Sequence, residues 1–340
     1  MKKLNAKKLY DKNGFLDIGY IIENSTQPFI FVCGGRGIGK SYGAYKYMLE
    51  HTLPFFCLRR TDNEAEIMAN ALTSQIASIA ENMGTEIDFE RIKKITVAKY
   101  MNDEKLCSFF GSLTTFKNFR GIDLTGAKWI IFDEFIPEIH TRKIKGEGLA
   151  FGNIYETINR NRELNGEPPV RCLFLANSFN IANDIFRFFG IVDKAEELQA
   201  GNNEIWNDES KLLIMPHNSP ISDKKRNTAI YKATSQEFGD LALKNRFISN
   251  DFSRVRKKVN RKEYTGYCRV GELVILKHKT NGEMWCCTGK ASCRHEYDDT
   301  IAARQQFRRE RGEIWDKYVL NKMYFSSYNT QYLFERIMTD

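Results

Sequence analysis

Short apolar runs alternate with amphipathic stretches along the first half of the chain. Runs at 28–33, 53–58, 95–99, 105–110, 129–132 and 171–176 have the length of strands. Between them, 41–51 and 63–82 read as helices, the second with Ile67, Ala71, Ile76 and Ile79 at helical spacing. Continuous apolar strands separated by helices predict a parallel sheet covered on both faces, an α/β fold. Beyond about residue 180 the pattern becomes polar, Pro216 and Pro220 follow, and a basic stretch comes next. The expected organisation is therefore a first domain over 1–196, a linker over 197–250 that is basic toward its end, and a smaller α+β domain over 251–340. In that last part, β-prone runs at 266–277 and 283–288 flank Thr280-Asn281-Gly282, a hairpin signal, and 300–318 predicts a helix with Arg304, Arg308 and Arg311 on one face.

Charge sharpens this division. The 340 residues carry a formal +8, and the window 222–262 alone holds twelve Lys and Arg against four acids, so it accounts for the whole excess. Such a block suits a polyanion, nucleic acid above all, or else a solvated linker. With 42% hydrophobic residues the chain is too apolar for intrinsic disorder. No run approaches the roughly 18 uncharged apolar residues of a membrane span, and the N-terminus lacks the apolar core of a signal peptide, so the expected location is cytoplasmic and no membrane partner is expected. The eight cysteines suit reduced core thiols. Cys286, Cys287, Cys293 and His295 lack the CxxC pairs of a zinc site.

The strongest chemical signal is Gly34-Gly35-Arg36-Gly37-Ile38-Gly39-Lys40-Ser41, a GxxxxGK[ST] motif between a predicted strand and a predicted helix. Its glycines let backbone N–H groups and the helix N-terminus face phosphates. Lys40 would reach the β- and γ-phosphates and Ser41 would hold Mg²⁺. Asp133 and Glu134 end the apolar run at 129–132, Asp133 to hold the metal through its water shell and Glu134 to polarise an attacking water. Adjacent acids of this kind favour ATP hydrolysis over small-molecule phosphorylation. Asn177, ending the run at 171–176, is either a γ-phosphate sensor or a turn residue. In Arg160-Asn161-Arg162-Glu163 an arginine either serves the site of a neighbouring subunit or forms helical salt bridges. Arg59 and Arg60 are placed to contact phosphates, or Glu134 when nucleotide is absent.

Taken in order, the GxRGIGKSY motif, Arg59-Arg60, Phe132-Asp133-Glu134-Phe135, Arg160-Asn161-Arg162-Glu163 and the run from Arg171 to Asn177 resemble the genome-packaging (encapsidation) ATPases of small tailed phages of the Bacillus podovirus type. The resemblance covers about 30–180. It implies an additional-strand, catalytic-glutamate P-loop NTPase of the RecA/FtsK-like kind, followed by a C-terminal domain resembling a degenerate RNase H-like nuclease. It also implies a ring of identical subunits, a pentamer, that drives double-stranded DNA into a procapsid through the portal vertex with ATP and Mg²⁺, in some relatives with a packaging RNA, in the cytoplasm of the infected host. Carried over by position, Glu134 is the catalytic glutamate, Asn177 the sensor, Arg160 the finger acting in trans and Lys117 a second trans-acting cation.

Two-metal nuclease chemistry needs clustered carboxylates, and the C-terminal strands offer only Glu272 and Glu283, with Asp298 and Asp299 in a loop, so no nuclease activity is expected. Relatives can place a lysine after the arginine pair, where this chain has Thr61, Asp62 and Asn63. The expected DNA contacts are therefore Arg142, Lys143 and Lys145, with Lys257 and Lys258 in the C-terminal part. The same motifs also fit a helicase loader or morphogenesis ATPase, or a nucleic-acid-binding structural module that ATP locks in one conformation.

Overall fold

A computed structural model describes residues 4–92, 95–115, 121–137, 144–177, 180–217, 219–234, 243 and 252–339. Two compact units emerge, one of Met1–Phe189 with Glu197–Ile248 and one of Gly190–Glu196 with Ser249–Asp340.

Among the described residues the first unit holds a nine-stranded sheet built from β1 (Phe29–Gly34), β2 (Phe55–Arg59), β3 (Ile87–Ile92), β4 (Ile95–Tyr100), β5 (Leu106–Ser112), β6 (Trp129–Asp133), β7 (Arg171–Asn177), β8 (Ile205–Asn207) and β9 (Lys211–Ile214). They lie in the order β3-β4-β5-β2-β6-β7-β1-β9-β8, parallel from β5 to β9 and antiparallel only toward the two edges. Strand β7 stands between β1 and β6. The strand leading into the glycine loop and the strand ending in Asp133 are thus separated by one intervening strand, the arrangement of additional-strand P-loop NTPases.

Alternation along the central strands sends side chains to two packed layers. Ile30, Val32, Ile131, Leu173 and Leu175 join Tyr45 and Met48 on one side. On the other, Phe31 stacks on Phe174 at 4.3 Å, and Phe132, Phe135, Phe151, Phe186 and Phe189 close around the pair. A rigid aromatic layer under β1, β6 and β7 fixes the strand ends that carry the chemistry.

Three expectations change. Residues 197–250 are not simply a linker, because β8 and β9 complete the sheet and Leu212, Leu213 and Ile214 are fully buried. The helix expected at 63–82 is two helices, Asp62–Met68 and Gln75–Asn82. Between them Asn70 accepts from the Leu72 N–H and Thr73 donates to the Ile67 carbonyl, so side chains replace helical backbone bonds there. Strand β3, not foreseen, alternates apolar and polar residues at first and is exposed on most of its length because it is an edge.

In the second unit β10 (Tyr264–Val270), β11 (Leu273–His278), β12 (Met284–Thr288), β13 (His295–Tyr297) and β14 (Met323–Phe325) form a mixed sheet ordered β13-β10-β11-β12-β14. The Asn281-Gly282 hairpin joins β11 and β12 as expected, while the run at 266–277 is itself divided at Gly271, whose φ of +54° makes a turn. The helix expected at 300–318 breaks into Ile301–Glu310 and Gly312–Val319. Adjacent Cys286 and Cys287 belong to clusters on opposite faces of the sheet and cannot share a metal.

The basic window is used in a way neither sequence reading anticipated. Arg254 stacks on Tyr318, Arg256 on Tyr324 and Arg261 on Trp285, at 4.2, 3.2 and 5.0 Å from the ring centroids. Part of the charge excess is therefore packing material for the second sheet.

Candidate functional site

Strands β1, β6 and β7 end on the same edge of the first sheet, the edge where ligands bind in open parallel sheets. Register places Gly34 beside Asn177 and Asp133 beside Leu175. The loop after β1 turns through Gly37 and Gly39 with φ of +67° and +97°, conformations that glycine adopts without strain, and Gly39 caps the helix Lys40–Glu50. A Cβ on Gly34 would sit 2.5 Å from Ile38 Cδ1, so the loop closes tightly on itself. Gly35 and Ile38 are buried, and Arg36 is exposed.

Lys40 is 7% exposed, and its ammonium donates to the carbonyls of Gly34 (2.9 Å) and Gly35 (2.8 Å) and to Asn177 Oδ1 (3.0 Å). Burial pulls its pKa down to about 8, only partly offset by Asp133. Ser41 Oγ donates to Asp133 Oδ1 (2.9 Å), so the two oxygens expected to bind a cation already converge. Buried Tyr45 donates to Asp133 Oδ2 (3.0 Å), a partner missed in the sequence although its i,i+4 spacing from Ser41 puts both hydroxyls on one helix face.

Glu134 follows the strand end with φ +57°, a conformation that costs a non-glycine residue about 1–3 kcal/mol. Its side chain is 59% exposed and lies 3.1 Å from Arg59 Nη1, which also stands 3.6 Å from Asp133. Burial would lower the pKa of Arg59, but Asp133 and its neighbours outweigh it and hold the pKa above the ordinary value. Arg59 therefore faces Glu134, one of the contacts expected for it.

Arg60 does not. It is 2% exposed and its Nη2 donates to Glu147 Oε1 at 2.5 Å, the first residue of the helix Glu147–Asn159. Burial raises the Glu147 carboxyl, and Arg60 counteracts part of that rise. Consecutive residues leave a strand toward opposite faces, so only the first of the arginine pair reaches the nucleotide edge, and Arg60 is removed from the phosphate-contact candidates.

Arg160 terminates the helix Glu147–Asn159, exposed, with φ +47° and ψ −129°. Arg162 is instead buried, donating to the Thr125 and Ala127 carbonyls. Asn159 receives the Val170 N–H and donates to Glu163. These bonds hold a strained turn that presents Arg160 outward. Lys145 and Lys258 are exposed, and Lys257 lies 3.7 Å from Glu196. Lys117, Arg142 and Lys143 lie outside the described residues.

The cleft around these groups encloses about 970 Å³ and runs from Asp133, Glu134 and Asn177 along the helix Lys40–Glu50 to the turn carrying Phe15. Ample room remains for a nucleotide. The glycine cradle, the buried ammonium and the paired serine and aspartate fit a triphosphate with a hard divalent cation.

The whole molecule has solved counterparts. It superposes on the Phi-28 gp11 DNA packaging motor with a TM-score of 0.65 at 16% identity, over 96% of this chain and 97% of that one. For the bacteriophage Phi-29 viral genome packaging motor assembly the values are 0.64 and 20%, over 99% and 100%. Sequence relatives include the DNA packaging proteins of Bacillus phage B103, 29% identical over 235 residues and 67% of each chain, and of Bacillus phage phi29, 27% identical over 234 residues, 67% of this chain and 64% of the relative. The sequence alignments thus span about two-thirds of these relatives. Residues 11–293 match the family described as Podovirus DNA encapsidation protein (Gp16), and the chain belongs to that family.

Proposed function

We propose that this chain hydrolyses ATP with Mg²⁺ and uses the reaction to drive double-stranded viral DNA into a preformed procapsid. The observation that supports this most is the convergence of Lys40, Ser41, Asp133, Glu134 and Asn177 on one glycine loop. Family membership adds the DNA.

Lys40 exchanges the Gly34 and Gly35 carbonyls for β- and γ-phosphate oxygens, and Asn177, already bonded to that ammonium, is placed to register the change. Ser41 and Asp133 hold Mg²⁺, which neutralises phosphate charge when bound. Glu134, parted from Arg59, takes a proton from water as the water oxygen attacks the γ-phosphorus and the bond to the bridging oxygen breaks. Arg160 of a neighbouring subunit stabilises the charge that develops, in a homo-oligomeric ring, a pentamer, seated on the portal of the procapsid in the host cytoplasm. Exposed Lys145 and Lys258, with Arg142, Lys143 and Lys257, grip DNA phosphates without reading bases, as a motor indifferent to sequence requires. Lys117 serves beside Arg160, and a packaging RNA is an optional member of the assembly.

The second unit binds and does not cut. Glu283 is engaged by Arg256 at 3.2 Å and Asp299 by Arg304 at 2.6 Å, so these acids are committed to ion pairs.

The test is protection of DNA from added nuclease by procapsids supplied with the purified protein. Protection that requires ATP supports the proposal. ATP turnover without any protection would instead favour a loader or morphogenesis ATPase, and protection independent of ATP would favour a nucleotide-locked binding module.

A further inference from the structure

After β9 the chain crosses back over the glycine loop. Pro216 packs beside Gly34, its Cδ 3.7 Å from where a Cβ would be. The helix Pro220–Lys225 follows, with buried Ser219 donating to the Gly14 carbonyl (3.1 Å), Lys224 to the Asn13 carbonyl (3.3 Å), and Ile221 packed against the main core. At its end Lys225 lays its ammonium on the loop itself. Nζ stands 3.5 Å from the Arg36 carbonyl and 1.7 Å from the point where a Cβ on Gly37 would be. Gly37 is favoured by its φ of +67°, and the Lys225 ammonium fills the space that a side chain there would take, so a larger residue would displace this amine from the loop.

Two ammonium groups thus approach the same loop, Lys40 from within and Lys225 across it. Partial burial lowers the pKa of Lys225. Among the described residues no carboxylate forms an ion pair with Lys225, and a carbonyl at 3.5 Å is weak compensation for a partly buried charge. An anion held by the loop would relieve both the poor solvation and the mutual repulsion. Lys225 lies in the basic stretch that the sequence presents as a DNA contact or linker, yet its position is at the phosphate loop.

We propose that Lys225 is a second, same-chain phosphate-binding cation of the nucleotide site, moving from the Arg36 carbonyl to the outer phosphates of a bound nucleoside triphosphate. This rests on the ATP reading above. It also makes the segment after β9 a part of the site, so that phosphate occupancy is felt by the chain that leads toward the second unit.

The experiment measures affinities of the full-length protein for ATP, ADP and AMP, using wild type, Lys225→Ala and Lys225→Arg. Lys225→Ala is expected to weaken ATP about tenfold, ADP less and AMP not at all, with Lys225→Arg restoring most of the loss. Acetylation of Lys225 in the wild type, followed by mass spectrometry, is expected to slow in ATP and not in AMP, which keeps the test available even if the alanine variant folds poorly. Unchanged ATP affinity in Lys225→Ala, equal weakening of all three nucleotides, or acetylation indifferent to ATP would overturn the proposal. Those results leave the ATPase reading intact if wild type still binds ATP; a wild type that binds no ATP overturns both.

Discussion

Proton linkage at Lys40 offers a direct probe of the nucleotide site. Burial carries this ammonium from the ordinary 10.5 to about 8, a cost of about 3 kcal/mol for keeping the charge in place. A triphosphate restores the missing countercharge and should return the pKa to 10 or above, so binding takes up a proton wherever the free protein has lost one. With a pKa of 8, about a tenth of the sites lack the proton at pH 7 and about nine-tenths lack it at pH 9. The apparent Kd for ATP should therefore rise about tenfold over that interval. Stability carries the opposite sign from this group: between pH 8 and 10.5 the unfolded chain binds more protons than the folded one, so raising pH favours the fold while it weakens ATP. Calorimetric titration in two buffers of different ionisation enthalpy reads proton uptake itself, about 0.1 at pH 7 and about 0.9 at pH 9. Lys40→Arg, whose guanidinium does not titrate here, supplies the baseline for all other groups. Equal uptake by wild type and Lys40→Arg at both pH values would refute the reasoning.

Three further outcomes follow from the arginines. Arg160→Ala subunits mixed with Glu134→Gln subunits should recover some ATP turnover, because a site built from the Glu134 of an Arg160→Ala subunit and the Arg160 of a Glu134→Gln neighbour is complete; no recovery at any ratio would argue against a shared site. Arg160→Gly should be more stable to urea than Arg160→Ala by about 1 kcal/mol while equally inactive, since glycine relieves the positive φ. Arg60→Ala should cost about 3–5 kcal/mol by leaving Glu147 buried alone, and Arg60→Met with Glu147→Leu should recover most of it. An Arg60→Ala protein of normal stability but poor turnover would return Arg60 to the nucleotide edge.

The parts of the site that were legible in the sequence are those where a local motif meets a strand end. The glycine loop, Asp133, Glu134 and Asn177 each follow an apolar run, and parallel pairing brings those ends together. Arg59 and Arg60 were indistinguishable as a pair until alternation at the strand end assigned one to Glu134 and the other to Glu147. Lys225 was hidden because its role depends on a contact 189 positions away in the chain, and charge counting cannot separate a loop-bound lysine from a DNA-binding one. The arginines that stack on Tyr318, Tyr324 and Trp285 were hidden for the same reason. Strands β8 and β9 are hard to recognise in the sequence because polar residues and prolines surround a run of only four residues.

Glu134→Gln is the most direct test of the central claim that this loop hydrolyses ATP to move DNA. The substitution keeps the size of the side chain and removes the proton acceptor and the charge that pairs with Arg59. ATP binding should stay within about threefold of wild type, while single-turnover hydrolysis falls at least 100-fold and procapsid protection of DNA is lost with it. Hydrolysis at the wild-type rate, or DNA protection that survives its loss, would contradict the account.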